Sequence, residues 1–302
     1  MNLRIGTSEI GGTFYTQALA LKNILKNVRS LPPVAIIEST AGASIENALR
    51  LEAGELDLAF ISAPWVSAAK KGVAPFATSL DLKTVAPMNL GPNFFVARAD
   101  SDLRKVRDLR GRRLAIGLPT SGMTPHAEAV LHALGIGDND ITKVHVGFAE
   151  GARMLISGEV DAQYQRPIPN EVMTDLCCKT PVRVLRFDPH EIDAALQAMP
   201  CDQPVTMKAG ALPGLDEDIS QLGVLNLLVA HRRAEDEIVR LVVEAILGKA
   251  ATLAETQPLF ADLPELLATT ALQRCASLEF DGVTLHPGAA RAYAAAGYIN
   301  QT

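Results

Sequence analysis

Three short segments rich in glycine, serine and threonine are the parts of this chain best suited to bind a small anion. They span residues 7–13, 40–44 and 120–124, and each lies between a short apolar segment and a stretch with helical spacing. Free backbone N–H groups converge at a helix N-terminus, where the helix dipole adds about half a positive charge. In open α/β sheets such turns lie at the carboxyl ends of strands, where ligands bind. The three turns together predict one anion-binding cleft, whereas any single turn is also explained as an ordinary helix cap.

Polar and aromatic side chains around the first two turns are candidate ligand contacts. Thr13 and Tyr15 stand at the start of the first predicted helix, and Ser44 and Asn47 stand at the start of the second. Trp65, the only tryptophan, follows the third predicted strand and is a candidate wall of the cleft. Packing at the edge of a lobe also explains Tyr15, and packing in the core explains Trp65 equally well.

The third turn and a later strand supply the remaining candidates. Those in the third turn are Thr120, Ser121, Gly122 and Thr124. Gln165 and Arg166 end a strand predicted over residues 160–165. A guanidinium group can hold a carboxylate through two parallel hydrogen bonds, although Arg166 is also compatible with a surface position before a proline turn.

Signatures of catalysis and metal binding are scarce. The six histidines are scattered without metal-ligand spacing, and no nucleophile elbow, Walker A loop or GxGxxG motif occurs. His126, one turn into the predicted helix after the third turn, is the best candidate for a reactive group, although its position favours an ordinary histidine on the helix surface. The four cysteines contain no CxxC pair, and a disulfide from Cys177 or Cys178 to Cys201 stays open. We therefore predict no catalytic residue and no metal site.

Size and charge narrow the class of protein. With 302 residues, 48% of them hydrophobic, the chain is long enough for about two domains. A formal net charge of -6 argues against nucleic acid as a partner. The basic run over residues 104–113 is diluted by acidic residues, so it predicts a solvated surface or a docking patch for a partner. No apolar run reaches the roughly 18 residues of a transmembrane helix, so no direct membrane insertion is expected.

The start of the chain bears on its cellular location. The first predicted strand begins at Leu3, and no apolar leader region precedes it. We expect either a periplasmic protein whose leader has been removed or a cytoplasmic protein.

Helix and strand signals alternate along the chain, which predicts an α/β architecture with mainly parallel sheets flanked by helices. The chain is predicted to cross between two lobes near residues 90–98 and 207–230. The first lobe is then discontinuous, with residues 1–92 and 222–302, and the second spans 93–221. Paired strands at such a double hinge allow two lobes to rotate as rigid bodies around a ligand.

Seven motifs in order along the chain resemble those of the TAXI-type solute-binding subunits of TRAP transporters. They lie at residues 6–15, 39–47, 54–59, 96–101, 108–113, 158–162 and 285–289. The resemblance implies a two-lobed type II periplasmic-binding-protein fold and a protein that is not an enzyme. It implies capture of a small organic acid, such as an amino acid or dicarboxylate, in the cleft between the lobes. Delivery to a sodium-driven membrane transporter subunit and the absence of a cofactor are implied as well.

Two departures from the TAXI pattern lie where ligand identity is set. Met123 stands in a turn that is usually built of small residues, and the segment 163–166 is polar where the family is usually apolar. Gln165 with Arg166 favours a carboxylate or another polar ligand. Two alternatives stay open: an enzyme on the same fold, resembling thiamine-precursor synthesis proteins with His126 reactive, and a cytoplasmic ligand sensor or scaffold.

Overall fold

The computed structural model describes residues 2–39, 43–165 and 167–300. Arg166 and residues 40–42 of the second turn lie outside these ranges. The chain divides into two compact units, Met1–Leu90 with Leu225–Thr302 and Gly91–Val224. Each of the two crossing points falls inside a long strand.

Strands and helices alternate through most of the chain. The elements up to the first crossing are β1 (Leu3–Gly6), α1 (Thr13–Leu25), β2 (Val34–Ile37), α2 (Ser44–Glu52), β3 (Leu58–Ser62), α3 (Ala63–Lys71) and β4 (Leu82–Arg98). Those of the second unit are β5 (Arg113–Ala115), α4 (Met123–Ala133), β6 (Thr142–Val144), α5 (Phe148–Ser157), β7 (Ala162–Gln165), α6 (Glu171–Lys179), β8 (Val182–Val184), α7 (Pro189–Ala198) and β9 (Asp202–Met207). The chain ends with β10 (Ile219–His231), α8 (Asp236–Thr256), α9 (Leu263–Leu272) and α10 (Pro287–Ala295).

In the first unit, β1 pairs in parallel with β2 and β3, and β10 runs antiparallel to β3. The carboxyl ends of three parallel strands therefore meet at one edge, from which α1, α2 and α3 begin. The long helix α8 buries Val239, Val242 and Ile246 at helical spacing, so one apolar stripe faces the core.

In the second unit, β5 lies between β6 and β7 and is parallel to both, while β4 runs antiparallel to β7 and β8. Apolar clusters cover both faces of this sheet. Phe95 and Tyr164 pack with residues of α4 and α7, and Phe94 packs with residues of α5 and α6. Since successive strand residues point to opposite faces, Gln163 and Gln165 lie on the α5 and α6 face, opposite to Tyr164.

The alternating α/β organisation is as the sequence predicts, with one difference in the sheets. They are mixed rather than mainly parallel, because the crossing strands β4 and β10 run antiparallel to their neighbours. Residues 90–98, where the first crossing is predicted, form the end of a much longer strand, β4, which begins at Leu82.

Candidate functional site

The carboxyl edge of the second unit brings three predicted features together. We use this name for the loop 116–122 before α4, the loop 145–147 before α5, and Gln165 at the end of β7. Ala115 of β5 stands opposite Gln163 of β7 in a parallel pair. Continued by two residues, this register puts residue 117 beside Gln165. The edge therefore combines two helix N-termini with a buried side-chain amide.

Gln165 is the most unusual polar residue of this edge. It is 0% exposed, yet within the described part of the chain neither its Oε1 nor its Nε2 atom has a hydrogen-bond partner. Among the buried side-chain amides of residues 2–39, 43–165 and 167–300, it alone lacks a partner on both atoms. Each buried polar group left unpaired costs about 1–3 kcal/mol, so this amide lowers the stability of the fold.

Gln163 lies two residues earlier on the same face of β7. Its Nε2 donates to the Phe148 carbonyl oxygen at 2.8 Å, and its Oε1 has no partner. Glycine at position 151 makes this contact possible, because a Cβ there would lie 2.6 Å from the Gln163 Nε2. The first turn of α5 is thereby held against the end of β7.

The loop before α4 is held by its own side chains. The Thr124 hydroxyl donates to the Leu118 carbonyl oxygen at 2.8 Å, and Ser121 Oγ accepts from the Met123 N–H at 3.2 Å. Gly117 has a φ of 105°, a conformation that favours glycine. The predicted contacts Thr120, Ser121 and Gly122 thus lie at the start of α4 and are exposed or half-buried, whereas the Thr124 hydroxyl is engaged with the backbone.

A chain of buried hydrogen bonds runs through the interior of this unit. The His126 Nδ1 lies 2.6 Å from the Tyr164 hydroxyl, and its Nε2 lies 2.8 Å from Asp202 Oδ2. Burial raises the pKa of Tyr164, the Asp202 charge adds to this, and a hydrogen bond from Asn93 opposes it. The protonated Tyr164 hydroxyl then donates to Nδ1, and the Nε2–H donates to Asp202, an assignment that follows from the network. Both ring nitrogens of His126 have a partner and the residue is only 8% exposed, so it is a core residue and not the helix-surface histidine that the sequence favours.

The first unit presents its predicted residues at the carboxyl edge of its own sheet. Ser44 Oγ accepts from the Ser62 N–H at 3.1 Å, which ties the start of α2 to the end of β3. Thr13 is the buried first residue of α1, and Tyr15 is half-buried in the same turn. Trp65 lies in the first turn of α3 and is also half-buried.

Asn47 is placed differently from these residues. It is 0% exposed, and its Nδ2 donates to the carbonyl oxygens of Thr7 at 2.9 Å and Phe60 at 3.0 Å. Its amide nitrogen therefore joins the chain after β1 to β3. The Oδ1 atom has no partner and lies 2.7 Å from where a Cβ at Gly6 would stand.

The sequence analysis missed a buried amide cluster in the first unit. Asn89 Oδ1 accepts from Gln17 Nε2 at 3.0 Å and from Asn226 Nδ2 at 3.3 Å. Asn226 is paired in register with Ser62, so the cluster lies at the carboxyl edge of this unit. A single asparagine inside the apolar run 224–230 was the available signal.

The basic run over residues 104–113 is neutralised by neighbouring carboxylates. The ion pairs are Lys105–Asp188, Arg107–Glu191, Arg110–Asp140, Arg112–Asp102 and Arg113–Asp161. This pairing is typical of a solvated surface and gives no support to a docking patch for a partner.

The described residues contain no metal cluster, no disulfide at Cys177 or Cys178 and no helix that could span a membrane. Among residues 2–39, 43–165 and 167–300, no three histidine, cysteine, aspartate or glutamate side chains are grouped to hold a metal ion. Cys177 and Cys178 are free thiols, so neither is bonded to Cys201. No helix in the described part of the chain has both the length and the apolar character needed to cross a membrane.

Comparison with known families identifies the chain's relatives. The profile of the NMT1-like family matches residues 5–297. The chain belongs to the NMT1-like family. This match and the fold support a periplasmic-binding-protein-like superfamily, and they do not single out the TAXI group within it.

Solved structures confirm the predicted fold class, the two-lobed periplasmic-binding-protein fold. The aliphatic sulphonate-binding protein SsuA from Escherichia coli is 20% identical, with a TM-score of 0.52 over 96% of this chain and 82% of that one. A ligand-binding component of an ABC-type import system from Staphylococcus aureus, with zinc bound, is 9% identical, with a TM-score of 0.53 over 96% and 98%. The effector-binding domain of QuiR in complex with shikimate is 13% identical, with a TM-score of 0.52 over 83% and 98%.

Proposed function

We propose that this NMT1-like protein is a periplasmic solute-binding protein that holds a small organic acid and does not convert it. In this proposal the acid is a carboxylate and is handed to a membrane-embedded transporter of the TRAP type. Family membership and the periplasmic-binding-protein fold support the general role. The TAXI-like motifs support the TRAP partner and the carboxylate.

The observation that carries the proposal is the unpartnered amide of Gln165. It is wholly buried and lies at the carboxyl end of β7, on the same edge of the sheet as the loops that lead into α4 and α5. Its N–H groups can donate to an oxyanion, and the two helix dipoles favour negative charge at the same edge. Such an arrangement suits an anionic ligand better than an apolar one.

The predicted contacts take distinct roles in this proposal. Gln165 and the start of α4, with Thr120, Ser121 and Gly122, meet the ligand in the second unit. Thr124 and Asn47 brace the backbone, because their donor atoms already bind carbonyl oxygens. The contacts Thr13, Tyr15, Ser44, Trp65 and Arg166 stay predictions.

The geometry of His126 favours binding over turnover. The enzyme alternative needs a reactive imidazole, yet both ring nitrogens of His126 are hydrogen-bonded inside the core. Two of the proteins with the same fold are described with an organic oxyanion as ligand, a sulphonate for SsuA and shikimate for the QuiR domain. Both are consistent with an oxyanion site here.

A thermal-shift screen of the purified chain against carboxylates, amino acids and alkanesulphonates tests the proposal. A ligand present at a hundredfold excess over its Kd stabilises the folded state by about 2.7 kcal/mol. We expect one class of organic acid to raise the Tm by several degrees and to be recovered unchanged after incubation. Turnover of that compound, or no shift with any acid at millimolar concentration, would contradict the proposal.

A further inference from the structure

The unpaired amide of Gln165 offers two kinds of group to one ligand. Its Nε2 is a donor and its Oε1 is an acceptor, and neither has a hydrogen-bond partner among the residues that the structure describes. A simple oxyanion, such as a short unsubstituted carboxylate or sulphonate, supplies acceptors only. It would pair with the Gln165 nitrogen and leave the oxygen buried without a partner. A ligand that satisfies the whole amide must carry a hydrogen-bond donor close to its oxyanion.

Gln163 adds a second acceptor on the same face of β7. Its orientation is set by the bond from Nε2 to the Phe148 carbonyl oxygen, so the unpartnered atom is Oε1. Residues two apart in a strand are separated by roughly 7 Å, which is within the span of a small polyfunctional acid. This face of β7 therefore holds two oxygens and one NH₂ group that have no hydrogen-bond partner among the described residues.

The charges around this face favour a neutral hydrogen-bond donor on the ligand over an ammonium group. The carboxylates on the two helices that cover it, Glu150, Glu171 and Asp175, are all exposed. Glu150 pairs with Arg153, and Asp175 pairs with Lys179. An ammonium group buried against amide oxygens alone would lack a counter-charge, whereas a hydroxyl would be fully satisfied by them.

We infer that the ligand is a hydroxylated organic acid, with a hydroxyl group close to its oxyanion and no ammonium group there. This inference rests on the proposed function and narrows its ligand class. Gln165 is then the residue that selects the hydroxyl: it donates Nε2–H to the oxyanion and accepts the hydroxyl proton on Oε1.

Matched pairs of compounds test the inference on the unmodified chain by isothermal titration calorimetry. The pairs are lactate with propionate, malate with succinate, and 2-hydroxyethanesulphonate with ethanesulphonate, with alanine as the ammonium counterpart of lactate. Within the pair of the preferred size, we expect the hydroxylated member to bind about ten- to a hundredfold more tightly, because its analogue leaves the amide oxygen unpaired. Alanine is expected to bind more weakly than lactate.

A pair of glutamine variants assigns the preference to Gln165. Gln165→Leu removes both amide atoms, so the ratio within a pair should fall to about one. Gln221→Leu is the matched control, since Gln221 is equally buried in the same unit, donates to the Leu185 carbonyl oxygen and also has an unpartnered Oε1. It should keep the wild-type ratio. Gln165→Met serves if the leucine variant does not fold.

The outcomes separate the inference from the proposed function. Equal affinities within every pair, tighter binding of alanine than lactate, or a ratio retained in the Gln165 variants would overturn the hydroxyl inference alone. If none of the paired compounds and no acid of the thermal screen bound, both the hydroxyl inference and the proposed function would be overturned.

Discussion

His126 and Asp202, 76 positions apart in the sequence, are joined by a buried contact of 2.8 Å between Nε2 and Oδ2. Because Tyr164 occupies the other ring nitrogen, the imidazole connects α4 to both β7 and β9. The helix whose N-terminus borders the candidate site is thus fixed from inside the core. Both contacts support a structural role for His126.

Tyr164→Phe tests this network. Without the hydroxyl, His126 Nδ1 loses its donor and Asn93 loses its acceptor, both in the core. We expect the free energy of unfolding in urea to fall by about 1–3 kcal/mol. Tyr298→Phe is the control: it is half-buried, its hydroxyl makes no hydrogen bond within the described residues, and its effect should be within about 0.5 kcal/mol. Equal small effects would show that the network adds no stability.

Substitution by alanine is expected to change the free energy of unfolding in opposite directions at two helical glycines, Gly288 and Gly248. A Cβ at Gly288 would lie 2.1 Å from the Asp236 carbonyl oxygen, so Gly288→Ala must push α10 away from α8. We expect it to lower the free energy of unfolding by about 1–3 kcal/mol. Gly248 in α8 has open space around a Cβ, and Gly248→Ala should stabilise by about 0.5–1 kcal/mol. The two variants are compared by urea denaturation. If both were more stable than the wild type, the close packing of α10 on α8 at Gly288 would be wrong.

Acid should destabilise the protein partly through His286. This residue is wholly buried at the start of α10, and its Nδ1 accepts from the Gly288 N–H. Burial lowers its pKa below 6.5, an effect that the Asp236 charge partly offsets. Between pH 6.5 and the lower folded pKa, His286 is protonated in the unfolded chain but neutral in the folded protein. The contribution of His286 to the free energy of unfolding is therefore present above pH 6.5 and is lost as the pH falls from 6.5 towards the folded pKa.

The measurement for His286 is the pH dependence of urea denaturation between about pH 7 and about pH 5. One such histidine contributes a slope of at most about 1.4 kcal/mol per pH unit. His286→Asn keeps a helix-capping oxygen and removes the titration, so its stability should fall less steeply. A slope identical to that of the wild type would exclude His286 as a source of acid sensitivity.

Asn47 is expected to affect stability. Asn47→Leu leaves the Thr7 and Phe60 carbonyl oxygens without the amide donor, and we expect a loss of about 1–3 kcal/mol in the free energy of unfolding. Asn23→Leu, on the exposed surface of α1, is the control and should change stability by at most about 0.5 kcal/mol. A stable Asn47→Leu variant with weakened ligand affinity would instead make Asn47 a ligand contact.

Local sequence signals predicted much of the fold for identifiable reasons. The periodic apolar residues of α8 and the glycine after α2 mark those elements closely. The early part of β4 was missed, because Pro87, Gly91 and Pro92 interrupt the sequence pattern that is typical of a strand. The strand nevertheless continues through these residues in the folded protein. Helices α5, α6 and α7 were missed as well: short helices depend on tertiary packing more than on their own propensity.

The candidate site was only partly predictable. Its turns are visible as glycine and serine clusters beside apolar strands. The hydrogen-bond partners are not visible in the sequence, because they include residues far apart along the chain, such as His126 and Asp202. The sequence named Gln165 as a polar residue at a strand end, but only the structure shows that its amide is both buried and unpartnered.

Nuclear magnetic resonance of the side-chain amides tests the central claim most directly. The Gln165 NH₂ signals can be assigned by their loss in Gln165→Leu and followed while an organic acid from the thermal screen is added. We expect these signals to shift on binding, while those of Gln221 stay unchanged. Saturation by a ligand that leaves the Gln165 signals unmoved would contradict the account.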